Sequence, residues 1–380
     1  EIMLTPNTED NVITFEKSAV LGTGTPVRFD GGEAFVQYFN LKKGWNWVSF
    51  NVESKDLSDI NKLLGNMTWS DGDVLTELCS NLTLTYEKEQ KQWLASGSTN
   101  DIVISPKKSY AIMVHKDCTF PIGGTVIKQE EARTIDVKKG WNAVGYTPMT
   151  NLAMETALSD YYDQAEEGDV IKSHTEFAYF TKSGNTGRWR GNLQYMKPSE
   201  GYMLLRKADG EASFTYPFYE MGSNIYDVSS TSQRRVALKA SSTMSVSAIV
   251  EGFDVEEGDK LVAYADGEIV GSEVLSVKRE ELAADDQPLF FLSIAGDAQQ
   301  PIWFAIERDG EIVASTDEVM TFERNAVIGS PDEPTAINFE HTTDTAYEDG
   351  KWYTLSGVQL PQKPTEKGLY IFNGKKVFVK

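Results

Sequence analysis

Apolar residues recur along most of the chain with the two-residue period of a β-strand. Asp-Gly and Asn-Gly pairs, which favour hairpin turns, interrupt these runs at 266–267, 309–310, 349–350 and 373–374. A helical period is confined to short stretches, the clearer of which places Leu57, Ile60 and Leu64 on one face between an aspartate and a glycine. The pattern therefore predicts a mainly β chain with short helices.

One stretch of this pattern occurs twice: residues 41–50 read LKKGWNWVSF, and residues 137–146 read VKKGWNAVGY. Their first tryptophans, Trp45 and Trp141, are 141 − 45 = 96 positions apart. The same offset joins two further landmarks, the Gly-Asp-Val runs at 72–74 and 168–170 and the pair Trp93 and Trp189. Ordered landmarks at a constant offset indicate an internal duplication. We therefore expect two duplicated β-rich modules, each with a short helix, at 41–127 and 137–217.

The remaining segments differ from these modules in length and pattern. Residues 236–345 carry about eight short strands over roughly 105 residues, which predicts a β-sandwich of immunoglobulin-like size. Residues 346–380 contain too few strands to bury a core of their own, so this small C-terminal β segment is expected to dock on the sandwich. Residues 1–40 are strand-like, and we interpret them as an N-terminal segment that could be the end of an upstream domain.

The formal net charge is −21 and is concentrated in the predicted sandwich, where residues 236–345 hold 23 acidic and 6 basic side chains, 6 − 23 = −17. We expect no nucleic acid as a partner, because phosphates are bound through clustered cations. No apolar run approaches the roughly 18 to 20 residues of a membrane span, which predicts a chain without a membrane-spanning segment.

Candidate catalytic chemistry is sparse. The three histidines are far apart in sequence, and none begins a known catalytic or metal-binding motif. The sequence contains no phosphate-binding loop, dinucleotide fingerprint or serine-nucleophile motif, so we expect no cofactor and no enzyme. A glycosidase pair of carboxylates is defined by its separation in space and not in sequence, which leaves an undetected glycoside-active enzyme as a third interpretation.

Two small constellations stay open. The acidic turn with Asp254, Glu256 and Asp259 is a weak calcium candidate, because it supplies oxygen ligands without the spacing of an EF-hand loop. A solvated acidic turn is the favoured interpretation. Cys79 and Cys118 lie in the first predicted module and have no counterparts in the second. They are either a disulfide or two independent thiols, and the sequence favours neither.

The C-terminal segment contains two characteristic runs, YTLSG at 353–357 and KGLYIFNGKKV at 367–377. This ending resembles the short C-terminal β segment of exported and surface proteins of Bacteroidetes-type bacteria. The duplicated Gly-Trp-Asn motif and the run at 258–264 are similar to modules of large extracellular proteins from that group. The resemblance implies export and a cell-surface or secreted location. In some members the segment is a sorting signal of the type IX secretion route and in others a terminal β module, so both roles stay open.

Two functions from different classes fit these observations. The first is a non-catalytic binding or adhesion protein outside the cell, with a glycan or an extracellular host or partner protein as its ligand. The second is an accessory or spacer region of a larger exported protein whose functional domain precedes Glu1.

Large aromatic residues that occur in only one module are the candidates for ligand contact. Aromatics shared by both modules are explained by a common core, whereas these align with small or polar residues. The candidates are Trp47, Trp69, Tyr161, Tyr162 and Tyr179, which align with Ala143, Ala165, Gly65, Asn66 and Thr83. They are either local packing substitutions or an exposed platform for a sugar ring or a protein, and the usual burial of aromatic side chains favours packing.

Overall fold

The computed structural model describes residues 5–6, 29–30, 34–65, 67–80, 82–95, 103–184, 186–219, 240–275, 287–316, 319–339, 351–354, 359–366, 368–372 and 375–379. Strands account for 53% of the structure and helices for 7%, so the predicted mainly β fold is confirmed. The described helices are short: α1 (Ile60–Leu64), α2 (Glu130–Arg133), α3 (Met154–Ala157) and two 3₁₀ helices at Lys55–Ser58 and Tyr162–Gln164. Most of the predicted N-terminal segment lies outside the described residues.

The strands of the N-terminal part and the first module are, in chain order, β1 (Thr5–Pro6), β2 (Phe29–Asp30), β3 (Ala34–Leu41), β4 (Gly44–Ser49), β5 (Val52–Glu53), β6 (Val74–Glu77), β7 (Thr83–Glu87), β8 (Gln92–Ala95), β9 (Ser109–Val114) and β10 (Cys118–Val126). An antiparallel five-stranded sheet has the order β4-β9-β6-β7-β8, and a three-stranded sheet has the order β3-β10-β5. Strand β3 crosses the predicted boundary at residue 40. Its Phe39 stacks on Phe120 at 4.7 Å between ring centroids, so residues of β3 contribute to the core of the first module.

The second module contains β11 (Thr134–Val144), β12 (Leu152–Ala153), β13 (Val170–Lys172), β14 (Phe177–Ser183), β15 (Thr186–Gly191), β16 (Tyr195–Met196) and β17 (Tyr202–Thr215). Its antiparallel five-stranded sheet has the order β11-β17-β13-β14-β15, and β12 pairs with β16. This order equals that of β4-β9-β6-β7-β8 in the first module. The long strands β11 and β17 occupy the places of β3 with β4 and of β9 with β10, and their register shifts between Lys138 and Gly140.

The glycine and asparagine of the Gly-Trp-Asn motif make the same contacts in both modules. Asn46 Oδ1 accepts from Lys42 N at 3.0 Å, and its Nδ2 donates to Lys42 O at 2.8 Å and to Gly44 O at 3.0 Å. Asn142 repeats these three bonds with the backbone of residues 138 and 140 at 2.9, 2.7 and 2.8 Å. The motif glycines have φ of 107° and 94°, a region that disfavours other residues. These motif residues therefore serve the fold.

The Gly-Asp pair adopts the same turn in three places. The aspartate Oδ2 accepts a hydrogen bond from the backbone N–H three residues earlier, at 2.8 Å for Asp73, 3.0 Å for Asp169 and 2.9 Å for Asp259. Each aspartate carboxylate is nearly inaccessible to solvent. Because a buried acceptor without partners is costly, these turns are built to satisfy the carboxylate within the chain.

The third unit contains β18 (Thr243–Glu251), β19 (Lys260–Ala265), β20 (Glu268–Val274), β21 (Leu289–Ala295), β22 (Pro301–Arg308), β23 (Glu311–Ser315), β24 (Met320–Thr321), β25 (Val327–Ile328) and β26 (Thr335–Asn338). One sheet has the order β21-β18-β25, with β26 also on β18, and the other has the order β20-β19-β22-β23, with β24 on β22. Alternate residues of both sheets, among them Val246, Ala263 and Phe304, form one buried core. The unit is therefore a β-sandwich.

The C-terminal segment forms a sheet of its own. Its strands are β27 (Trp352–Thr354), β28 (Gln359–Leu360), β29 (Gly368–Phe372) and β30 (Lys375–Val379), in the order β28-β27-β29-β30. Trp352 stacks on Phe372 at 4.5 Å between ring centroids. Strand β30 lies beside β23 of the sandwich, and its Val379 is buried. The small sheet is therefore placed against the sandwich, as a segment without a large core requires.

Candidate functional site

The two modules meet through backbone contacts that leave little room for side chains. Gly201 N donates to Trp47 O at 3.2 Å, and Ser109 Oγ donates to Tyr202 O at 2.6 Å. A Cβ atom at Gly201 would lie 2.8 Å from Val48 N, and one at Gly145 would lie 2.0 Å from the carbonyl oxygen of Pro106. Real Cβ atoms do not approach other atoms so closely, so this interface requires glycine at both positions.

Lys172 lies where the two modules meet the sandwich. It is the last residue of β13, where the neighbouring Ile171 faces the core of the second module. Because successive side chains of a strand alternate, Lys172 faces the sandwich. The side chain is fully buried, and its Nζ donates to Thr243 O at 3.0 Å, to Thr243 Oγ1 at 3.1 Å and to Asn325 Oδ1 at 2.9 Å. The lysine thus joins the second module to two segments of the sandwich.

Two tryptophan rings from the two modules flank the same ammonium group. Lys172 Nζ is 4.4 Å from the ring centroid of Trp141 and 5.6 Å from that of Trp47. Each indole is fixed by the sandwich, because Trp47 Nε1 donates to Ser241 O at 2.9 Å and Trp141 Nε1 donates to Asn325 O at 3.1 Å. Cation–π attraction is strongest when the cation is removed from water, as it is here. Trp47, Trp141 and Lys172, with their sandwich partners, are called the junction below.

Burial sets the ionisation of the junction. The hydrogen-bond acceptors of Lys172 are a carbonyl, a hydroxyl and an amide, none of which carries a charge. Desolvation lowers the pKa of Lys172 from 10.5 to about 7. Desolvation likewise lowers the pKa of His174 to about 4, so this ring is neutral at pH 7; it stacks on Trp47 at 5.2 Å, with Nε2 3.0 Å from Ala240 O. Lys172 and His174 thus connect the second module to the sandwich through hydrogen bonds, and both contact Trp47 of the first module.

A cleft of about 470 Å³ opens at the same boundary, between β15 of the second module and β21 of the sandwich. Its lining includes the apolar residues Trp189, Leu193 and Phe291 and the polar residues Arg190 and Gln194. The wall is fixed behind these residues, because Phe177 and Phe291 pack edge to face at 5.6 Å between centroids. Clefts at domain boundaries are common ligand sites.

A carboxylate is held beside this cleft. Asn192 Nδ2 donates to Glu273 Oε2 at 3.0 Å and to Phe291 O at 2.9 Å, and Asn192 Oδ1 accepts from Phe177 N at 2.9 Å. Burial raises the pKa of Glu273 from 4.5 to about 7. One amide side chain therefore connects the second module, the cleft wall and a partly neutralised carboxylate of the sandwich.

Three of the five aromatic candidates are buried and lie in three different apolar clusters. Trp47 belongs to the junction. Trp69 packs in the core of the first module, edge to face on Trp93 at 5.1 Å, with Nε1 donating to Leu64 O. Tyr161 packs in the core of the second module and donates from Oη to Asp169 Oδ2 at 2.7 Å. The exposed platform considered from sequence is therefore wrong for these three, and the packing interpretation holds for them.

The other two candidates are more accessible. Tyr162 is 40% exposed, packs edge to face on Phe180 and donates from Oη to Gly187 O. Tyr179 is half-buried on β14, and a Cβ atom at Gly168 would lie 3.2 Å from its Oη. Partial burial raises the pKa of Tyr179. The structure does not bring these rings together with the three buried ones into one surface.

The calcium candidates are occupied by contacts within the chain. Arg308 Nε and Nη2 donate to the two carboxylate oxygens of Asp259, each at 2.7 Å, and its Nη1 lies 3.1 Å from Glu256 Oε1. The Arg308 guanidinium holds the pKa of Asp259 below its usual range. Asp254 contributes its backbone carbonyl, which accepts from Arg308 Nη2. An arginine stands where a cation would bind, and no group of three potential metal ligands exists among the described residues.

The sulfur and histidine chemistry is equally limited. Cys79 and Cys118 are free thiols, so the disulfide that the sequence left open is not formed. His115 Nδ1 lies 2.8 Å from Asp73 Oδ1, which resembles two members of a catalytic triad. The nearby thiol is unsuited to be the third member, because burial raises the pKa of Cys118 to about 11. Asp169 makes the corresponding turn without a histidine, so the aspartate serves the fold.

Sequence reasoning missed Lys172. It occupies an apolar strand next to a Gly-Asp-Val run, and its counterpart at the 96-residue offset is Thr76. A charged residue in a buried strand of one module but not the other was the available signal. Applying the comparison of the two modules to cations as well as to aromatics would have marked Lys172 as specific to one module, without showing that its side chain enters an interface.

No family model matches the chain, and no curated protein is similar to it in sequence. None of the helices in the described ranges is long and apolar enough to cross a membrane.

Proposed function

We propose that this chain is a non-catalytic binding or adhesion protein that acts at the cell surface or after secretion, with a glycan or an extracellular protein as its ligand. The observation that carries the proposal is the junction, where the two modules and the sandwich share one buried lysine. The extracellular location rests on the resemblance of the C-terminal segment and the Gly-Trp-Asn motifs described above.

Burying Lys172 at the junction costs free energy, and this cost bears on the function of the chain. A buried ammonium group loses its hydration, and neutral acceptors compensate for only part of that loss. Modules that only extend a chain can be joined by flexible linkers without such a group. A fixed orientation is useful when a binding surface includes residues from more than one unit, because a preorganised surface loses less entropy on binding. The junction therefore favours a binding role.

The same rigidity also fits the second candidate, an accessory or spacer region that holds an upstream domain at a fixed distance. The two functions differ in what residues 1–380 do alone. A binding protein retains a ligand without further domains, whereas a spacer binds nothing by itself.

The test is binding by residues 1–380 to a glycan array and to a panel of immobilised extracellular matrix proteins. We expect saturable binding to at least one class, weakened at least fivefold by Lys172→Met, which removes the ammonium group and its three hydrogen bonds but keeps an unbranched side chain of similar shape. Lys43→Met is the matched control, because Lys43 is an exposed lysine beside the first Gly-Trp-Asn motif. Absence of binding to both panels would overturn the proposal and leave the spacer function in its place.

A further inference from the structure

We propose that the cleft between β15 and β21 binds a neutral saccharide of one or two rings. This inference rests on the proposed binding function and names its site and ligand class. The cleft is bounded on one side by β15, the edge strand of the second module's sheet, and on the other by β21, an edge strand of the sandwich. Helix α3 and the short sheet of β12 and β16 close a third side.

The walls of the cleft are set before any ligand arrives. Gly191 allows β15 to approach β14 directly, because a Cβ atom there would lie 2.1 Å from Phe177 O. Asn192, the next residue, ties this wall to Phe291 O and Glu273 of the sandwich. Hydrogen bonds therefore connect the residues on both sides of the cleft. A ligand that binds there does not have to order these residues, so less conformational entropy is lost on binding.

The lining combines the two kinds of surface that a sugar presents. Its apolar part includes Leu289 and Phe291, which are partly exposed and can contact the C–H faces of a ring. Met154, Trp189 and Leu193 also line the cleft, but they are packed in the core of the second module. Its exposed rim includes Glu155 and Gln194, which offer carboxylate and amide groups to hydroxyls. Hydroxyl groups both donate and accept, so they match a rim with both kinds of partner.

The charge of the lining and the volume of the cleft restrict the class of ligand further. Arg190 and Glu155 contribute opposite charges to the lining, and Arg190 Nη1 is already paired with Asp332 Oδ1 outside it. Because Arg190 is already paired and Glu155 is negative, an anionic sugar would find no free positive charge at this lining. A volume of about 470 Å³ lies toward the small end of small-molecule pockets, roughly 300 to 1,000 Å³. These properties fit a neutral mono- or disaccharide.

The test uses the full chain and titration calorimetry with neutral mono- and disaccharides, beside a sialylated trisaccharide and a neutral tetrapeptide. Ala153→Trp places a large side chain at an exposed position in the cleft lining, and Gln194→Ala removes a rim amide. We expect saturable binding of a neutral saccharide, lowered at least tenfold by Ala153→Trp and about threefold by Gln194→Ala. Thr156→Trp is the matched control, since Thr156 is exposed three residues further along than Ala153, on helix α3, and does not line the cleft.

The outcomes separate this inference from the proposed function. If the chain binds a glycan on the array and Ala153→Trp binds it equally well, the binding function stands and the cleft assignment is overturned. If the sialylated sugar or the peptide binds and is displaced by Ala153→Trp while neutral sugars do not bind, the ligand class is wrong. If neither the array nor the protein panel retains the chain, both proposals fail together. Unchanged melting temperatures of the variants exclude loss of folding as the cause.

Discussion

The two modules share one sheet architecture, called the frame below, but they differ in the side chains that they turn toward the sandwich. Their five-stranded sheets share one strand order, and their motif asparagines make the same three hydrogen bonds. At the junction the correspondence ends. The second module has Lys172 and His174 where the 96-residue offset gives Thr76 and Leu78, and the first has Trp47 where the second has Ala143. The shared glycine and asparagine therefore stabilise the sheets of both modules, whereas the junction combines the shared Trp141 with residues that occur in one module alone.

The contact between the modules is also formed by residues that differ between the two modules. Ser49 corresponds to Gly145 of the second module at the offset of 96, and Ser109 corresponds to Gly201 at an offset of 201 − 109 = 92, which Tyr110 and Tyr202 share. Ser49 Oγ donates to Glu200 O at 2.6 Å and accepts from Tyr146 N at 3.1 Å. The glycines supply space that the serines use, because a Cβ atom at Gly201 would lie 3.1 Å from Ser109 Cβ. Two similar modules can thus pack closely when one carries the side chains and the other leaves room for them.

The largest effect is expected from the shared frame. Asn46→Ala and Asn142→Ala each remove three short hydrogen bonds to part-buried backbone groups, which costs about 2 to 4 kcal/mol. Because the networks match, the two losses should agree within about 1 kcal/mol. Urea denaturation followed by circular dichroism measures them. Asn40→Ala, at an exposed strand position, is the control and should change little. If the two variants lost clearly different free energies of unfolding, the two hydrogen-bond networks would not be equivalent.

A smaller effect is expected where the modules touch. Gly201→Ala forces a Cβ atom against the backbone of Val48, and overpacking of this kind costs about 1 to 3 kcal/mol. Gly123→Ala is a matched control on a strand, since a Cβ atom there meets nothing within 4 Å. Thermal unfolding of both variants provides the comparison. Equal melting temperatures for Gly201→Ala and Gly123→Ala would show that the modules are not held in close contact.

A third prediction uses the junction lysine, which has no charged counterpart in the first module. The pKa of Lys172 is about 7 in the folded chain and near 10.5 when exposed. Between these values the unfolded chain binds the extra proton, so this group makes stability rise with pH from about 7 to about 10.5. One unit of pKa difference corresponds to about 1.4 kcal/mol. Wild type should therefore gain at least about 1 kcal/mol more than Lys172→Met between pH 7 and 10.

Urea midpoints at several pH values measure this difference. Other titrating groups, including the buried tyrosines, are common to both proteins and cancel in the comparison. Thr76→Met in the first module is the control and should follow the wild-type pH profile. Parallel profiles for wild type and Lys172→Met would mean that Lys172 is solvated and that the junction does not exclude water.

The sheet architecture of the modules could be predicted from sequence, because the residues that determine it lie close together along the chain. A two-residue apolar period, Asp-Gly turns and a repeated Gly-Trp-Asn motif act over a few residues, and they predicted a mainly β chain. Asn46 and its partner Lys42 are four positions apart. Hydrogen bonds of this range can be recognised in a sequence pattern.

The junction was not accessible in this way, because its contacts are distant in sequence. Lys172 meets Thr243 and Asn325 across separations of 71 and 153 residues. Nothing in the apolar period of β13 distinguishes a lysine that enters an interface from one that reaches solvent. The aromatic comparison had a related limit. It identified Trp47, Trp69 and Tyr161 as specific to one module, but a core position and a junction position have the same sequence signature.

The smallest effect is expected from reduction of the chain. Cys79 and Cys118 occur in the first module alone, and a bond between them would make that module the more strongly constrained of the two. A disulfide across such a loop would contribute about 2 to 4 kcal/mol, which a reductant would remove. Because both thiols are free, dithiothreitol should shift the melting temperature by less than about 1 °C. Iodoacetamide should modify the exposed Cys79 before the half-buried Cys118, with Cys79→Ser as the control for peptide assignment. A large loss of stability on reduction, or protection of both thiols until reductant is added, would show that the first module is held by a bond that the second lacks.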